Sequence, residues 1–404
     1  MRKYRRSGRA GRFGGIVAAI LCLSPAWPAA APLPPEIERL GEEGAGLLHN
    51  LEFDRARQLY EKLCRDYPGH PAGRVMLGTA AWWQAWQGLA RPDDVLTQET
   101  DRILDQGIEL ARKLAIPERP DQPSREWDPC AGEFFLGGAL GVKAHCALLR
   151  GNWLTAVKGG RESLQSLRKL SSCTGYADEA CLGMGIYSYQ AARLPWHLKW
   201  ISRFLMGRYG TTEEALALLE RAAARARWLK FDAQCTLVGF YLGEERAPER
   251  ALPHARAMVR EKPASPLARL LLARTLNRNG KFAEALTEAR FTLDAAHDPG
   301  SPAARIAPAV RCEEGIALIG LGRLAEAEAG LVPATEARDG NLWAAEARLR
   351  RGNAFDLMGS RDLAVAEYRL VAQQPDRKPQ AEAAKRRIKR PYTWADFEGE
   401  IHTR

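Results

Sequence analysis

The residue types that perform most enzyme chemistry form no recognisable catalytic arrangement in this chain of 404 residues. The seven histidines are scattered, without an H-E-x-x-H pair that would place two imidazoles on one helix face. The run from Gly137 to Lys143 superficially resembles a phosphate loop, but no Ser or Thr follows the lysine and the run has a helical pattern. We therefore expect no catalytic residue, metal site or cofactor, and the chain is predicted not to be an enzyme. A site assembled from distant helices is the alternative.

The binding candidates are polar and aromatic residues that the repeat register described below places on first helices. In a helical-repeat protein these helices line the concave surface, where such proteins bind their partners. The sequence therefore predicts a protein or peptide partner, whose identity it does not give. The candidate binding residues are Phe240, Arg274, Asn277, Asn353 and Asp356.

A second candidate surface is the aromatic tract from Trp196 to Tyr209, in which Trp196, Trp200 and Phe204 share one helical face beside basic residues. Such a face can lie at a membrane interface or contact a partner. Burial of these aromatic side chains inside the fold is the reading that we favour. A membrane-associated protein that uses this tract is the alternative function.

The first 31 residues have the layout of a secretory signal peptide. Six basic residues lie between Arg2 and Arg12, a short apolar run covers Ile16 to Leu23, and small residues follow as far as Ala31. The apolar run is shorter than the roughly 20 residues that span a bilayer. We expect cleavage after Ala31 or Ala26 and export across the inner membrane into a bacterial periplasm. An uncleaved N-terminal anchor is the alternative.

Export would change how the charge and the cysteines are interpreted. The leader carries six of the ten net positive charges, so the mature chain keeps only four and nucleic-acid binding is not expected. Seven cysteines remain after the leader, and an odd number leaves at least one of them unpaired in an oxidising compartment. Cys173 and Cys181 bracket a short loop, so they are the predicted disulfide.

The element that positions these residues is clearest between Trp343 and Pro375. Gly352 and Ala364 are small enough for two helices to approach closely, while Tyr368 can fill the space beside them. Gly359 suits the turn between the helices. These spacings resemble the tetratricopeptide repeat. The resemblance implies an all-α, right-handed superhelical solenoid of antiparallel helix pairs.

Related patterns recur along the chain, so the fold prediction does not depend on one segment. The other copies are Gly44, Leu47, Ala56 and Tyr60; Ala144, Gly151, Trp153 and Ala156; Gly239, Leu242, Ala251 and Ala255; Ala273, Leu276, Gly280 and Ala285; and Gly315, Leu318, Gly322 and Ala327.

The patterns divide the chain into six parts, with a closing helix predicted from Gln380 to Arg390. They are residues 1–31, the signal peptide; 32–116, N-terminal repeat-like helices; 117–130, a proline-rich loop; 131–230, irregular central helical repeats; 231–378, a C-terminal repeat array; and 379–404, a capping helix and tail.

The central region departs from the plain repeat. Gly183, Gly185 and Tyr187 are followed by Leu194-Pro195 and the aromatic tract. This order loosely resembles the tetratricopeptide repeat protein 39 family and its bacterial relatives. The resemblance supports a repeat architecture and transfers no activity. The function expected from the whole sequence is that of an exported binding scaffold in cell-envelope assembly or transport.

Overall fold

The structure is a computed structural model that describes residues 33–86, 92–116, 128–193, 210–336, 343–374 and 378–402. These residues form helices and connecting turns, and none of them forms a β-strand. The helices of the N-terminal and central parts are α1 (Pro35–His49), α2 (Phe53–Asp66), α3 (Ala72–Trp86), α4 (Pro92–Val95), α5 (Gln98–Leu114), α6 (Pro129–Leu149), α7 (Trp153–Leu170) and α8 (Ala177–Ala192).

The C-terminal part continues with shorter and more regular helices. They are α9 (Thr212–Arg225), α10 (Lys230–Leu242), α11 (Pro248–Glu261), α12 (Pro266–Arg278), α13 (Phe282–Ala295), α14 (Ala307–Gly320), α15 (Leu324–Thr335), α16 (Ala344–Leu357), α17 (Arg361–Ala372), α18 (Lys378–Lys389) and α19 (Trp394–His402), with a 3₁₀ turn at Pro302–Ile306.

Packing follows chain order, as in a solenoid. From α9 to α18 each helix packs on the next one along the chain, and α12, α14 and α16 also contact one another in sequence. Short turns between consecutive helices make each pair antiparallel. The predicted all-α solenoid of tetratricopeptide-like helix pairs is therefore confirmed.

Small residues admit large side chains at the contact within each pair. A Cβ atom built on Gly44 would lie 2.3 Å from Cε1 of Tyr60, and one built on Gly352 would lie 2.5 Å from Cε1 of Tyr368. Both tyrosines are buried. The two pairs lie at opposite ends of the array and share one spacing, so the same contact sets the distance between the helices in both.

The turns within the regular pairs use a left-handed residue. Gly322 has φ of +72° and Gly359 has φ of +78°, a conformation that glycine adopts without a Cβ penalty. Leu51 holds the corresponding place between α1 and α2 with φ of +65°. Its side chain is fully buried, so apolar burial opposes the cost of that backbone conformation.

The predicted disulfide is wrong. Cys173 pairs with Cys130, at a Cα–Cα distance of 6.1 Å and 43 residues apart in the chain, while Cys181 is free and buried within α8. Helices α6 and α7 are antiparallel, so the start of α6 lies beside the loop that follows α7. That packing brings Cys130 to Cys173, and sequence spacing alone does not show it.

The C-terminal end also differs from the prediction. The predicted closing helix is present as α18, but a second helix, α19, follows it after a short turn. Thr393 directly precedes α19, and its backbone N–H and hydroxyl both donate to Asp396 Oδ2, at 2.9 and 2.7 Å. Rather than adding another layer, α19 turns back to contact α12.

Some predictions concern residues outside the described ranges. These are the leader, residues 1–31; residues 117–127 of the proline-rich loop; Leu194-Pro195 and the aromatic tract with Trp196, Trp200 and Phe204; and Pro375. Within the described part of the chain, no helix combines the length and apolar character needed to cross a membrane.

The contact between Gly352 and Tyr368 can be tested by Gly352→Ala. The new methyl group would overlap a ring that has little freedom to move, because the Tyr368 hydroxyl lies 2.9 Å from Asn353 Oδ1 and 3.0 Å from Asp356 Oδ2. We expect about 1–3 kcal/mol of destabilisation. Thermal unfolding followed by circular dichroism measures it.

The control is Gly138→Ala on the exposed face of α6, where a Cβ meets no atom within 4 Å. This change should leave the protein as stable as before or gain about 0.5–1 kcal/mol, because alanine favours a helix over glycine. Equal effects of the two substitutions would contradict the proposed packing.

Candidate functional site

A groove crosses three consecutive first helices in the C-terminal array, and we call it the α12–α16 groove. It encloses a cavity of about 180 Å³. Its wall consists of side chains from α12, α14, α16 and α19, together with Trp343 just before α16. The lining residues are Arg274, Asn277, Arg278, Cys312, Glu313, Ile316, Trp343, Glu346, Arg350, Phe397, Glu400 and Ile401.

Glu313 on α14 joins two walls of the groove. Its buried carboxylate accepts a hydrogen bond from Arg274 Nε at 2.7 Å and another from Asn277 Nδ2 at 3.1 Å. The same Asn277 nitrogen also donates to the carbonyl oxygen of Glu313 at 2.8 Å. The Arg274 guanidinium lies 5.2 Å from the ring centre of Trp343. Helices α12, α14 and α16 are thereby connected through one polar network.

Arg350 forms the second network of the groove. Its guanidinium donates to Glu346 at 2.7 Å and to Glu400 of α19 at 2.5 Å. Burial tends to lower the pKa of Arg350, but the two carboxylates outweigh it and raise that pKa well above the ordinary value. Burial likewise tends to raise the pKa of Glu346, and the charge and hydrogen bond of Arg350 lower it on balance.

Helix α19 occupies part of this groove. Arg387 Nη2 donates to Glu400 Oε1 at 3.3 Å, and Arg278 donates to the backbone carbonyl of Glu400. On the apolar side Phe397 and Ile401 are buried, and the Phe397 ring centre lies 5.7 Å from that of Phe282. The groove therefore already holds a short helix through both charged and apolar contacts.

Two of the predicted binding residues lie in this groove and three lie elsewhere. Arg274 and Asn277 line it, as described above. Phe240 is buried and stacks on Tyr189 with ring centres 3.9 Å apart. Asn353 is buried against the Tyr368 hydroxyl.

Asp356, the last predicted residue, has a side chain with no exposed surface. It accepts from Arg361 Nη1 at 2.9 Å and from the backbone N–H of Tyr392 at 2.7 Å. The structure thus gives Phe240, Asn353 and Asp356 packing and hydrogen-bonding roles inside the fold. Participation of the five residues in binding stays a prediction.

Sequence reasoning missed the carboxylates and the last helix. Glu346 lies on a first helix between Ala345 and Ala347, and an acid in that setting is a usable signal for a buried ion pair. Glu313 is followed directly by Glu314, so the sequence around it gives no comparable signal. Glu400 offered no such signal, because α19 belongs to no repeat pattern.

A second cavity, of about 330 Å³, lies between α5, α6 and α7. Charged residues face each other across it, and they pair directly: Lys143 with Asp105, and Arg112 Nη2 with Glu162 Oε2 at 2.5 Å. This arrangement joins α5 to α6 and α7. We therefore read it as an inter-helix contact and take the α12–α16 groove as the candidate site.

The fold and the groove together define an all-α protein of tetratricopeptide-like helix pairs with a groove of charged and apolar side chains on its first helices. No family model matches the chain, and no curated protein matches it either.

Among solved structures, the chain is similar to two that are described as follows. The first is the crystal structure of a Rap protein complexed with Competence and Sporulation Factor, with 13% identity over 92% of this chain and 99% of that chain and a TM-score of 0.39. The second is yeast Tom70, with 11% identity over 89% and 91% of the respective chains and a TM-score of 0.19. At these TM-scores the fold argument rests on the helix packing of the chain itself.

The ion pair of Glu346 with Arg350 predicts a pH-dependent stability. The folded-state pKa of Glu346 lies below the ordinary glutamate value of 4.5, so the pair stabilises the fold fully above pH 4.5 and loses its effect as the pH falls through the folded-state pKa. We expect Glu346→Gln to destabilise the protein by about 1–3 kcal/mol at pH 7. The difference from the wild type should shrink below about pH 4, as measured by thermal unfolding across pH.

The matched control is Glu398→Gln on the exposed face of α19. It should change the unfolding midpoint little at any pH, because surface substitutions usually stay within about 0.5 kcal/mol. A Glu346→Gln protein whose deficit is equal at pH 7 and pH 3.5 would contradict a stabilising charge at Glu346.

Proposed function

We propose that this protein is an exported helical-repeat scaffold that binds a protein or peptide in the α12–α16 groove. The observation that supports this most directly is α19, a helix of nine residues held in the groove by apolar and charged contacts. A surface that accommodates one short helix has the width and the side-chain chemistry to bind another. Binding of an amphipathic helix in a groove is a recurrent recognition mode.

The chemistry of the groove favours binding over catalysis. Its carboxylates are engaged with guanidinium groups, as Glu313 is with Arg274 and Glu346 with Arg350. Cys312 also lines the groove, but burial raises the pKa of its thiol well above the ordinary value. A thiol in that condition is a poor nucleophile, since the thiolate is the reactive form.

Export is the second part of the proposal. The basic and apolar leader supports it from the sequence, and the Cys130–Cys173 disulfide supports it independently. Disulfides persist in oxidising compartments such as the periplasm and are rare in the cytosol. We place the scaffold in the periplasm, in envelope assembly or transport. Retention of the leader as an N-terminal anchor is the alternative form of the same proposal.

The groove can be tested by Ile316→Glu in the mature protein used as bait for cross-linked envelope proteins from its source. Ile316 lines the cavity, so a charge there should weaken partner capture at least tenfold, which corresponds to about 1.4 kcal/mol. Quantitative mass spectrometry of the recovered proteins measures the loss.

The control is Leu363→Glu on α17, an exposed leucine that does not line the groove. Trp343→Ala is a second groove variant for the case in which Ile316→Glu does not fold by circular dichroism. Partners that are recovered equally with all folded variants would place the binding site elsewhere and overturn the groove assignment.

Export and the disulfide can be tested together by counting thiols in the denatured, unreduced protein. Of the eight cysteines, Cys22 leaves with the leader and the Cys130–Cys173 pair is oxidised, so five thiols should react with a thiol reagent. Six thiols with an intact N-terminus would indicate the anchored form. Seven thiols in the cleaved protein would contradict the disulfide and remove its support for export.

A further inference from the structure

Helix α19 depends on the groove for its helical conformation. It has nine residues, and isolated helices of that length are marginal in water. Its buried residues Phe397 and Ile401 are four positions apart, so they lie on one face and cover apolar surface that includes Phe282. Glu398 lies to one side of that face and is exposed. The helix is therefore amphipathic and attached through one side.

The charged contacts of α19 are complementary to the groove. Glu400 meets Arg350 and Arg387, and Asp396 Oδ2 lies 3.2 Å from Arg387 Nη1. Arg278 adds a donor to the backbone carbonyl of Glu400, and burial lowers the pKa of this arginine. Three guanidinium groups thus converge on an acidic helix. Without α19 these guanidinium groups would give the rim of the groove a positive charge beside its apolar residues.

The fit of α19 to the groove is incomplete. A cavity of about 180 Å³ remains between α19 and the first helices. Asn277 lines that cavity, and its buried Oδ1 accepts no hydrogen bond from any described residue. A ligand that filled the cavity and donated to this oxygen would gain contacts that α19 does not make.

We propose that α19 is an internal ligand that closes the groove until an acidic amphipathic helix of the partner replaces it. This rests on the proposed function and adds its regulation and the class of its partner. The partner segment carries an aromatic residue at position i, a carboxylate at i+3 and an aliphatic residue at i+4, as Phe397, Glu400 and Ile401 do. It binds on the positive rim and packs into the apolar cavity.

The test measures how tightly the full mature chain binds a fluorescent peptide of residues 391–402. The double variant Phe397→Ala with Glu400→Gln weakens the attachment of α19, and Glu398→Gln is the matched control on the exposed face. Fluorescence anisotropy should show at least tenfold tighter peptide binding by the double variant than by the wild type and the control. A peptide that carries Glu400→Gln should bind the double variant at least threefold more weakly than the unaltered peptide does.

Two results would overturn the inference in these experiments. One is equal peptide affinity for the wild type, the control and a folded double variant. The other is concentration-dependent dimerisation of the wild type through α19, seen by light scattering, which would make a second copy the occupant.

A measurement on the unaltered chain covers the case in which the double variant does not fold. Amide hydrogen exchange should be at least tenfold faster in residues 394–402 than in α16, since an internal ligand must dissociate without global unfolding. Equal protection of α19 and α16 would show that α19 is a permanent part of the fold and would overturn the inference.

The two proposals fail separately. If Ile316→Glu abolishes partner capture while the double variant leaves peptide affinity unchanged, the scaffold proposal stands and the internal-ligand inference fails. If the double variant binds the peptide more tightly while Ile316→Glu leaves partner capture unchanged, the closure by α19 stands and the proposed groove function fails.

Discussion

The structure depends on one constraint: a single antiparallel helix pair cannot bury its apolar face, so every pair needs a neighbour on each side. Gly44 with Tyr60 and Gly352 with Tyr368 show how closely the pairs must interlock, since neither glycine leaves room for a methyl group. Stacking repeats this packing along the chain, but it leaves two kinds of surface uncovered. These are the ends of the array and the concave face of the first helices.

The concave face is partly closed from both directions. Near the N-terminal repeats, the indole nitrogen of Trp83 donates to Asp232 Oδ1 at 3.0 Å, and Ser265 Oγ donates to the carbonyl oxygen of His49 at 2.7 Å. These contacts bring α1 and α3 against α10 and α12. At the C-terminal end α19 lies against α12 and the side chains of α16. The α12–α16 groove is therefore closed at this end by a helix that is distant from α12 in sequence.

The parts of the fold that follow from local spacing could be read from the sequence. Gly322 and Gly359 fix the turns because a left-handed residue is needed within a few positions of the helix end. The Cys130–Cys173 bond could not be read in this way, because two long antiparallel helices decide which residues meet. Register alone placed Asp356 on a first helix, but burial of its side chain depends on Arg361 and Tyr392, which arrive from later elements.

Closure by α19 also resolves an electrostatic difficulty. The first helices carry several arginines, and burial together with the nearby charge of Arg350 lowers the pKa of Arg278. The pKa of Arg350 is raised instead, because Glu346 and Glu400 lie beside it. Glu313 and Glu346 supply part of that negative charge from within the array, and Glu400 supplies the rest from α19. An array without α19 would keep its helix pairs but expose a positive, apolar groove. An acidic amphipathic helix would balance the positive charge and cover the apolar residues, whether it comes from this chain or from a partner.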